Sequence, residues 1–139
     1  MSAIPLGAKG SFSMIVAPEH LANRFKDPTL PPVFATPLMI LFMENAALNA
    51  IREYLAPGES ALGTVVNVRH LAATPAGQQV TAEAVVTGVE GRRIVFAVTA
   101  RDETQEIGSG IHERTLVDLR RLTQRLDAKR NQRTGLTPR

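Results

Sequence analysis

The sequence predicts an α+β fold in which one antiparallel sheet wraps around one long, buried helix. Two observations predict it. Only one stretch, 38–55, is long and apolar enough for an enclosed helix; its first two turns, Leu38, Met39, Ile40, Leu41, Phe42 and Met43, are apolar on every face. From about Ala61 the texture changes to period two with many β-branched residues, in four segments separated by turn residues. The 139 residues, 44% of them hydrophobic, suffice for one core, and the expected organisation is one domain over 1–139.

The elements follow in order. Phe12, Met14 and Val16 alternate with small or polar residues and predict a first strand. Residues 18–25 predict a short helix, and 27–32, with three prolines, a loop. Thr36-Pro37 then reads as an N-cap followed by proline at the first helical position, and Pro57-Gly58 closes the long helix. Strands are expected at 61–73, 78–89, 92–102 and 105–117, with short connections that favour an antiparallel meander. At the end, Leu119, Leu122 and Leu126 stand at helical spacing, so 119–139 reads as a short C-terminal helix and a disordered basic tail.

Composition narrows the chemistry. With no cysteine, neither a disulfide framework nor a thiolate nucleophile or ligand is available. No signal-peptide pattern is visible and the apolar run 37–43 is too short to span a bilayer, so a cytoplasmic protein is expected. Residues 120–139 hold seven Lys/Arg and one Asp, net +6, whereas the first 119 hold nine Lys/Arg and twelve Asp/Glu, net −3. A basic end on an acidic body, with few aromatics to stack on bases, argues against nucleic acid as a partner.

A few residues stand out as candidates for chemistry. Glu44 is the only charged residue between Asp27 and Arg52 and follows a wholly apolar run. A carboxylate there either begins the helix's polar face or belongs to a site. His70 falls on the strand face with Leu62, Thr64, Val66, Val68 and Ala72, the more apolar face, expected to pack on the helix toward Glu44. It reads as a core histidine or as an acid–base partner. Thr36 caps the helix, at a terminus whose free N–H groups and dipole suit a carbonyl or an oxyanion. Gly63 reads as a strand kink or as a place where backbone approaches a ligand. Gly108, Gly110, His112 and Arg114 share one face of the last strand, either a glycine-floored groove with basic edges or an exposed sheet face. The three histidines are scattered, so no metal site is expected.

Five segments in order, VFATPLMILFMENA (33–46), PGE (57–59), LGTVVNVRHLAATPAG (62–77), VEGRR (89–93) and EIGSGIHER (106–114), resemble the fluoroacetyl-CoA thioesterase family over nearly the whole chain. The resemblance implies the hot-dog fold and hydrolysis of a short acyl-CoA thioester, by a homodimer or higher even oligomer with its site near the subunit interface. It implies catalytic roles for Thr36, Glu44 and His70. It implies substrate-binding roles for Gly63 and Arg114, with Leu30, Val33 and Phe34 around the acyl group. Coenzyme A enters as part of the substrate, and no other cofactor is implied. In the family, phenylalanines before the VFAT segment cover the acyl pocket. Here 26–32 has no aromatic residue and Leu30 takes the nearest matching position, which implies a different or broader acyl preference.

Glu44 is expected to activate water or to attack the carbonyl itself. His70 is expected to polarise the nucleophile or to protonate the departing sulfur, and Thr36 to orient the substrate or to act as nucleophile. Thr36 and Glu44 lie eight positions apart, about 12 Å along one helix, so the expected site joins the helix N-terminus of one subunit to the Glu44 of its partner. Arg92, Arg93 or the basic tail are candidates for the phosphates of CoA. The competing readings are a non-catalytic hot-dog module that binds acyl-CoA or an acyl carrier, and a hot-dog enoyl-CoA hydratase.

Overall fold

Strand β1 (Lys9–Ile15) leads through a 3-10 turn (Pro18–His20) and a single helical turn, α1 (Ala22–Phe25), to the long helix α2 (Thr36–Ile51). A second 3-10 turn (Arg52–Tyr54) ends that helix; β2 (Glu59–His70), β3 (Gln79–Glu90), β4 (Arg93–Arg101), β5 (Glu106–Asp118) and helix α3 (Leu119–Leu136) follow. The computed structural model describes residues 3–136, with side chains through 132. Among the described residues no helix is long and apolar enough to cross a membrane.

All five strands join one antiparallel sheet in the order β1-β3-β4-β5-β2. Only β3-β4-β5 is a meander. The expectation that β2 would pair with its successor is corrected: β2 pairs with β5 and takes the far edge. Its link to β3, residues 71–78, is long enough to carry the chain across the sheet. That crossover is anchored, because Phe34 N–H donates to the Thr74 carbonyl at 2.8 Å and the buried Thr74 hydroxyl donates to the Asp102 carboxylate at 2.7 Å.

The sheet curls around α2 as the patterning predicts. On β3, Val80, Ala82, Ala84 and Val86 are buried; on β4, Ile94, Phe96, Val98 and Ala100. They meet Met39, Phe42, Met43, Ala46, Ala47, Ala50 and Ile51 of the helix. Small residues set the distance between layers. A Cβ built on Gly10 of β1 would lie 2.2 Å from the Ala50 nitrogen, so only glycine lets this strand cross the helix so closely. The helix is not buried on every side, however. Leu41 is 44% exposed, on the same face as Glu44 and Leu48, so one apolar flank of α2 lies outside the sheet's wrap.

A bulge corrects the reading of β2. The register to β5 shifts between Gly63 and Val65, so the inward face changes parity there. Beyond the shift Val68 and, past the strand end, Ala72 pack on the core as predicted. Before it, Ala61 is buried and Leu62, expected inside, is 43% exposed.

The C-terminus also differs from expectation. Asp118 accepts a hydrogen bond from the Arg121 N–H at 3.0 Å and so caps α3, which runs to Leu136. The segment expected to be disordered is therefore helical through 136, and 137–139 lie outside the described residues.

Candidate active site

The residues singled out from the sequence fall into two groups, one at each end of a stretch of α2. The first group is at the helix N-terminus. Thr36 is not the N-cap; Ala35 is, in extended conformation and with no side-chain capping bond, and Thr36 is the first helical residue. The shift by one position frees its hydroxyl from capping. The hydroxyl meets His70 Nδ1 at 2.8 Å across from the end of β2. The N–H groups of Leu38 and Met39 both turn back to the Ala35 carbonyl. Pro37 has none, so the Thr36 N–H is the backbone donor this turn leaves over.

His70 stands edge-on to the buried Phe34 ring, with centroids 6.4 Å apart. Burial pushes its imidazole below the usual value of 6.5, opposed by the nearby Ala72 backbone. A ring held neutral beside a hydroxyl is arranged to exchange a proton with it. Its other nitrogen, Nε2, is buried and has no hydrogen bond of normal geometry. Leaving such a group unpaired costs about 1–3 kcal/mol, more than packing alone explains.

Thr36 and His70 stand in the wall of an open cleft of about 330 Å³. Leu30, Val33 and Phe34, the three residues nominated for the acyl group, line it, and Lys26 adds a cation. Nothing aromatic from the 26–32 loop covers it.

The second group surrounds Glu44, two turns along α2. Its carboxylate is half-buried and makes no hydrogen bond or ion pair with any described residue. It lies against the Gly63 backbone of β2. A Cβ on Gly63 would fall 2.8 Å from Glu44 Oε2 and 3.3 Å from His112 Cε1, so a larger residue would displace the carboxylate. The bulge turns Gly63 to this side, whereas strict alternation would place it away from His70's face.

Behind Glu44 stand His112 and Arg114 of β5, 1% and 9% exposed. The open groove that the glycine spacing of this strand evoked is therefore absent. Helix α2 fills it, with Met39 against Gly108. Arg114 Nη2 donates to the Ala61 carbonyl at 2.7 Å and Nη1 to His112 Nε2 at 3.2 Å. His112 in turn directs Nδ1 at the Val65 carbonyl, 2.8 Å away, and stacks on Phe96 with centroids 5.8 Å apart. Accepting from a guanidinium on one nitrogen and donating to a carbonyl on the other fixes a neutral tautomer. Burial, chiefly, lowers its pKa; the Val65 carbonyl opposes this and the Arg114 charge reinforces it. Burial also lowers Arg114, against the favourable field of Glu44. From the sequence His112 read only as the basic edge of a groove or as part of an exposed face, not as a brace for Arg114. Its one signal was its place two residues before Arg114, on the same strand face.

Thr36 and His70 thus meet, and Glu44, Gly63 and Arg114 meet, but the two groups remain about 12 Å apart along the helix. His70 faces the helix side of the sheet, as expected, and meets α2 at Thr36 rather than at Glu44. His70 and Glu44 share a layer and sit at different ends of it.

A sequence model described as fluoroacetyl-CoA-specific thioesterase (FlK) matches residues 16–120. The chain belongs to that family. It is 43% identical over 125 residues to the fluoroacetyl-CoA thioesterase of Streptantibioticus cattleyicolor, covering 86% of this chain and 87% of the relative. A solved structure of fluoroacetyl-CoA thioesterase FlK superposes with a TM-score of 0.84 at 37% identity, over 99% of this chain and 100% of that one. A Thermus thermophilus hypothetical protein of the thioesterase superfamily superposes with a TM-score of 0.91 at 30% identity, over 97% and 99% of the two chains. The hot-dog fold expected from the family resemblance is the fold observed.

Proposed function

We propose that this chain hydrolyses the thioester of a small acyl-CoA at a site completed by a second copy of itself. The thioesterase reading rests on membership of the family. The observation that favours a shared site is the separation of Thr36–His70, which adjoins the cleft, from Glu44, which has a carboxylate without a partner.

The fold offers a surface for such a pairing. β2 is an edge strand of 12 residues with one side unpaired. Leu62, Val65 and Val66 on it are large, apolar and exposed, as is Leu41 on the open flank of α2. A long apolar edge is normally covered. A two-fold axis beside β2 covers it and brings each Glu44 toward the helix N-terminus of the partner.

In this reading the acyl group enters the cleft lined by Leu30, Val33 and Phe34. Its carbonyl oxygen meets the positive end of α2 and the Thr36 N–H, which stabilise the negative charge that develops there. Glu44 of the other subunit takes a proton from water as the water oxygen bonds to the carbonyl carbon. The C–S bond then breaks, and the proton that Glu44 took passes to the departing sulfur, relayed by the Thr36–His70 pair, which orients the reacting groups and ends neutral as it began; Glu44 is left as a carboxylate again. Arg114 stands behind Glu44 in mutual electrostatic attraction, and the Gly63 backbone fixes where the carboxylate lies. The cleft has no aromatic lid and exceeds what a two-carbon acyl group fills, so the acyl preference is broader than fluoroacetyl.

Free-thiol release from a panel of acyl-CoAs, acetyl and fluoroacetyl through medium-chain and aromatic, tests this. The wild type releases thiol, and Glu44→Ala lowers turnover at least ~10²-fold. Binding of the esters without release indicates a binding module instead. Hydration of crotonyl-CoA without release indicates the hydratase.

A further inference from the structure

The basic residues outside the site are not equivalent. Arg93 is already matched, because it pairs with both Glu90 and Glu113. Arg92, one position earlier, faces the other way. Its Nη1 reaches the Leu116 carbonyl at 3.4 Å, and its side chain lines a pocket of about 280 Å³ between the end of β5 and the start of α3. Arg121 and Arg125 line the same pocket. They are four apart on α3 and so share one of its faces. Three guanidinium groups therefore converge on one concavity. The single acid that lines it, Asp118, is engaged by the Arg121 N–H as the helix cap. Arg121 feels the charge of Asp118, but none of Arg92, Arg121 and Arg125 forms a contact ion pair with a described carboxylate. Three arginines facing one acid leave a net positive concavity, a geometry suited to phosphate oxygens.

The pocket's place along β5 says which phosphate. Gly108 opposite His70, Arg114 opposite Gly63, and Asp118 opposite Glu59 lie in that order on one strand. The pocket thus begins about 13 Å beyond Arg114, on the side of the Glu44 group away from the chain's own Thr36–His70. That span suits a flexible pantetheine arm.

We propose that Arg92, Arg121 and Arg125 form a docking site for the phosphates of the CoA nucleotide, whose thioester reacts at the Glu44 of the same chain. This rests on the thioesterase reading above and adds where the far end of the substrate is held. The exposed arginines steer and anchor the nucleotide without touching the reacting atoms. Their removal therefore acts on KM and leaves kcat in place.

The test compares the wild type with Arg121→Ser/Arg125→Ser, and with Arg52→Gln as a surface-charge control, at low salt. The substrates are an acyl-CoA, its dephospho-CoA ester lacking the 3′-phosphate, and the acyl-pantetheine lacking the nucleotide. The double variant is expected to raise KM for acyl-CoA about tenfold and to leave acyl-pantetheine unchanged, with the wild-type advantage shrinking as salt rises. A smaller penalty on the dephospho ester than on acyl-CoA assigns the 3′-phosphate; an equal penalty assigns the diphosphate. Unchanged KM for acyl-CoA in a folded double variant overturns the proposal. So does an equal rise for acyl-pantetheine. Calorimetric titration with free CoA separates the two claims. If no ester is hydrolysed but CoA binding weakens in the double variant, the docking site stands and the thioesterase reading fails.

Discussion

The two groups of polar residues along α2 are built on opposite plans. At the helix N-terminus, Thr36 and His70 satisfy one another at 2.8 Å and stand in the wall of a cleft large enough for an acyl group. Glu44 does not line that cleft, and its carboxylate has no hydrogen-bonding partner among the described residues. Everything behind it is braced: Arg114 on the Ala61 carbonyl and His112, and His112 on Val65 and Phe96. One half lines a cleft but brings no free carboxylate to it; the other has a free carboxylate that stands apart from that cleft. A hydrolytic site needs both, which is why each chain is read as supplying half of two sites.

The comparison can be broken at several points, and the loss of Glu44 described above is the largest. Next comes Gly63→Ala, whose new Cβ falls within 2.8 Å of Glu44 Oε2. Displacing the carboxylate by about 1 Å is expected to lower kcat/KM by up to ~10²-fold while the fold survives. Steady-state kinetics with circular dichroism checks it, and full activity would mean that the carboxylate's position is not what the glycine protects.

His112→Phe keeps the ring stacked on Phe96 but leaves Arg114 Nη1 and the Val65 carbonyl without their partner. A loss of about 1–3 kcal/mol is expected, read as a lower denaturant midpoint at unchanged m-value. The same change at Thr36, which is exposed, is expected to leave stability almost untouched while lowering activity. Equal stability losses at the two positions would erase the contrast between a braced half and an open one.

Acid should act on both halves more gently. His70 and His112 are neutral in the fold, with pKa values pushed below 6.5 by burial. The unfolded chain takes up these protons first as the pH falls. Stability is therefore full above about pH 6.5 and declines as the pH drops from there through the lower folded values. Activity, which needs a neutral His70, falls with a midpoint below 6.5. A denaturation midpoint that stays flat from pH 7 to pH 5 would show that neither imidazole is held neutral.

Much of the fold was legible because its signals are periodic. The wholly apolar start of α2 and the alternation of β3 and β4 leave few other arrangements. The bulge after Gly63 was not legible, since one inserted residue changes parity without changing composition. Nor was the pairing of β2 with β5, because residues 71–78 read as an ordinary connection while Thr74 ties them across the sheet to Asp102. The length of α3 was not legible because after Leu126 no apolar residue recurs at helical spacing until Leu136 apart from Ala128. Within the site, Glu44 stood out as a lone charge in an apolar run. Thr36 stood at the right helix end but one position off, and His112 read only as the edge of a groove or an exposed face because β5 gives no sign of which face α2 covers. Roles for Thr36, Gly63 and Arg114 came from resemblance rather than from spacing.

The most direct test of a shared site is complementation between two inactive proteins. Thr36→Ala and Glu44→Ala are purified separately, then mixed under conditions that exchange subunits, and thiol release is followed. If each site joins Thr36 of one chain to Glu44 of the other, the mixed dimer holds one intact site, and activity returns to about a quarter of the wild-type rate at equal mixing. If both residues of a site come from one chain, the mixture stays as inactive as its parents.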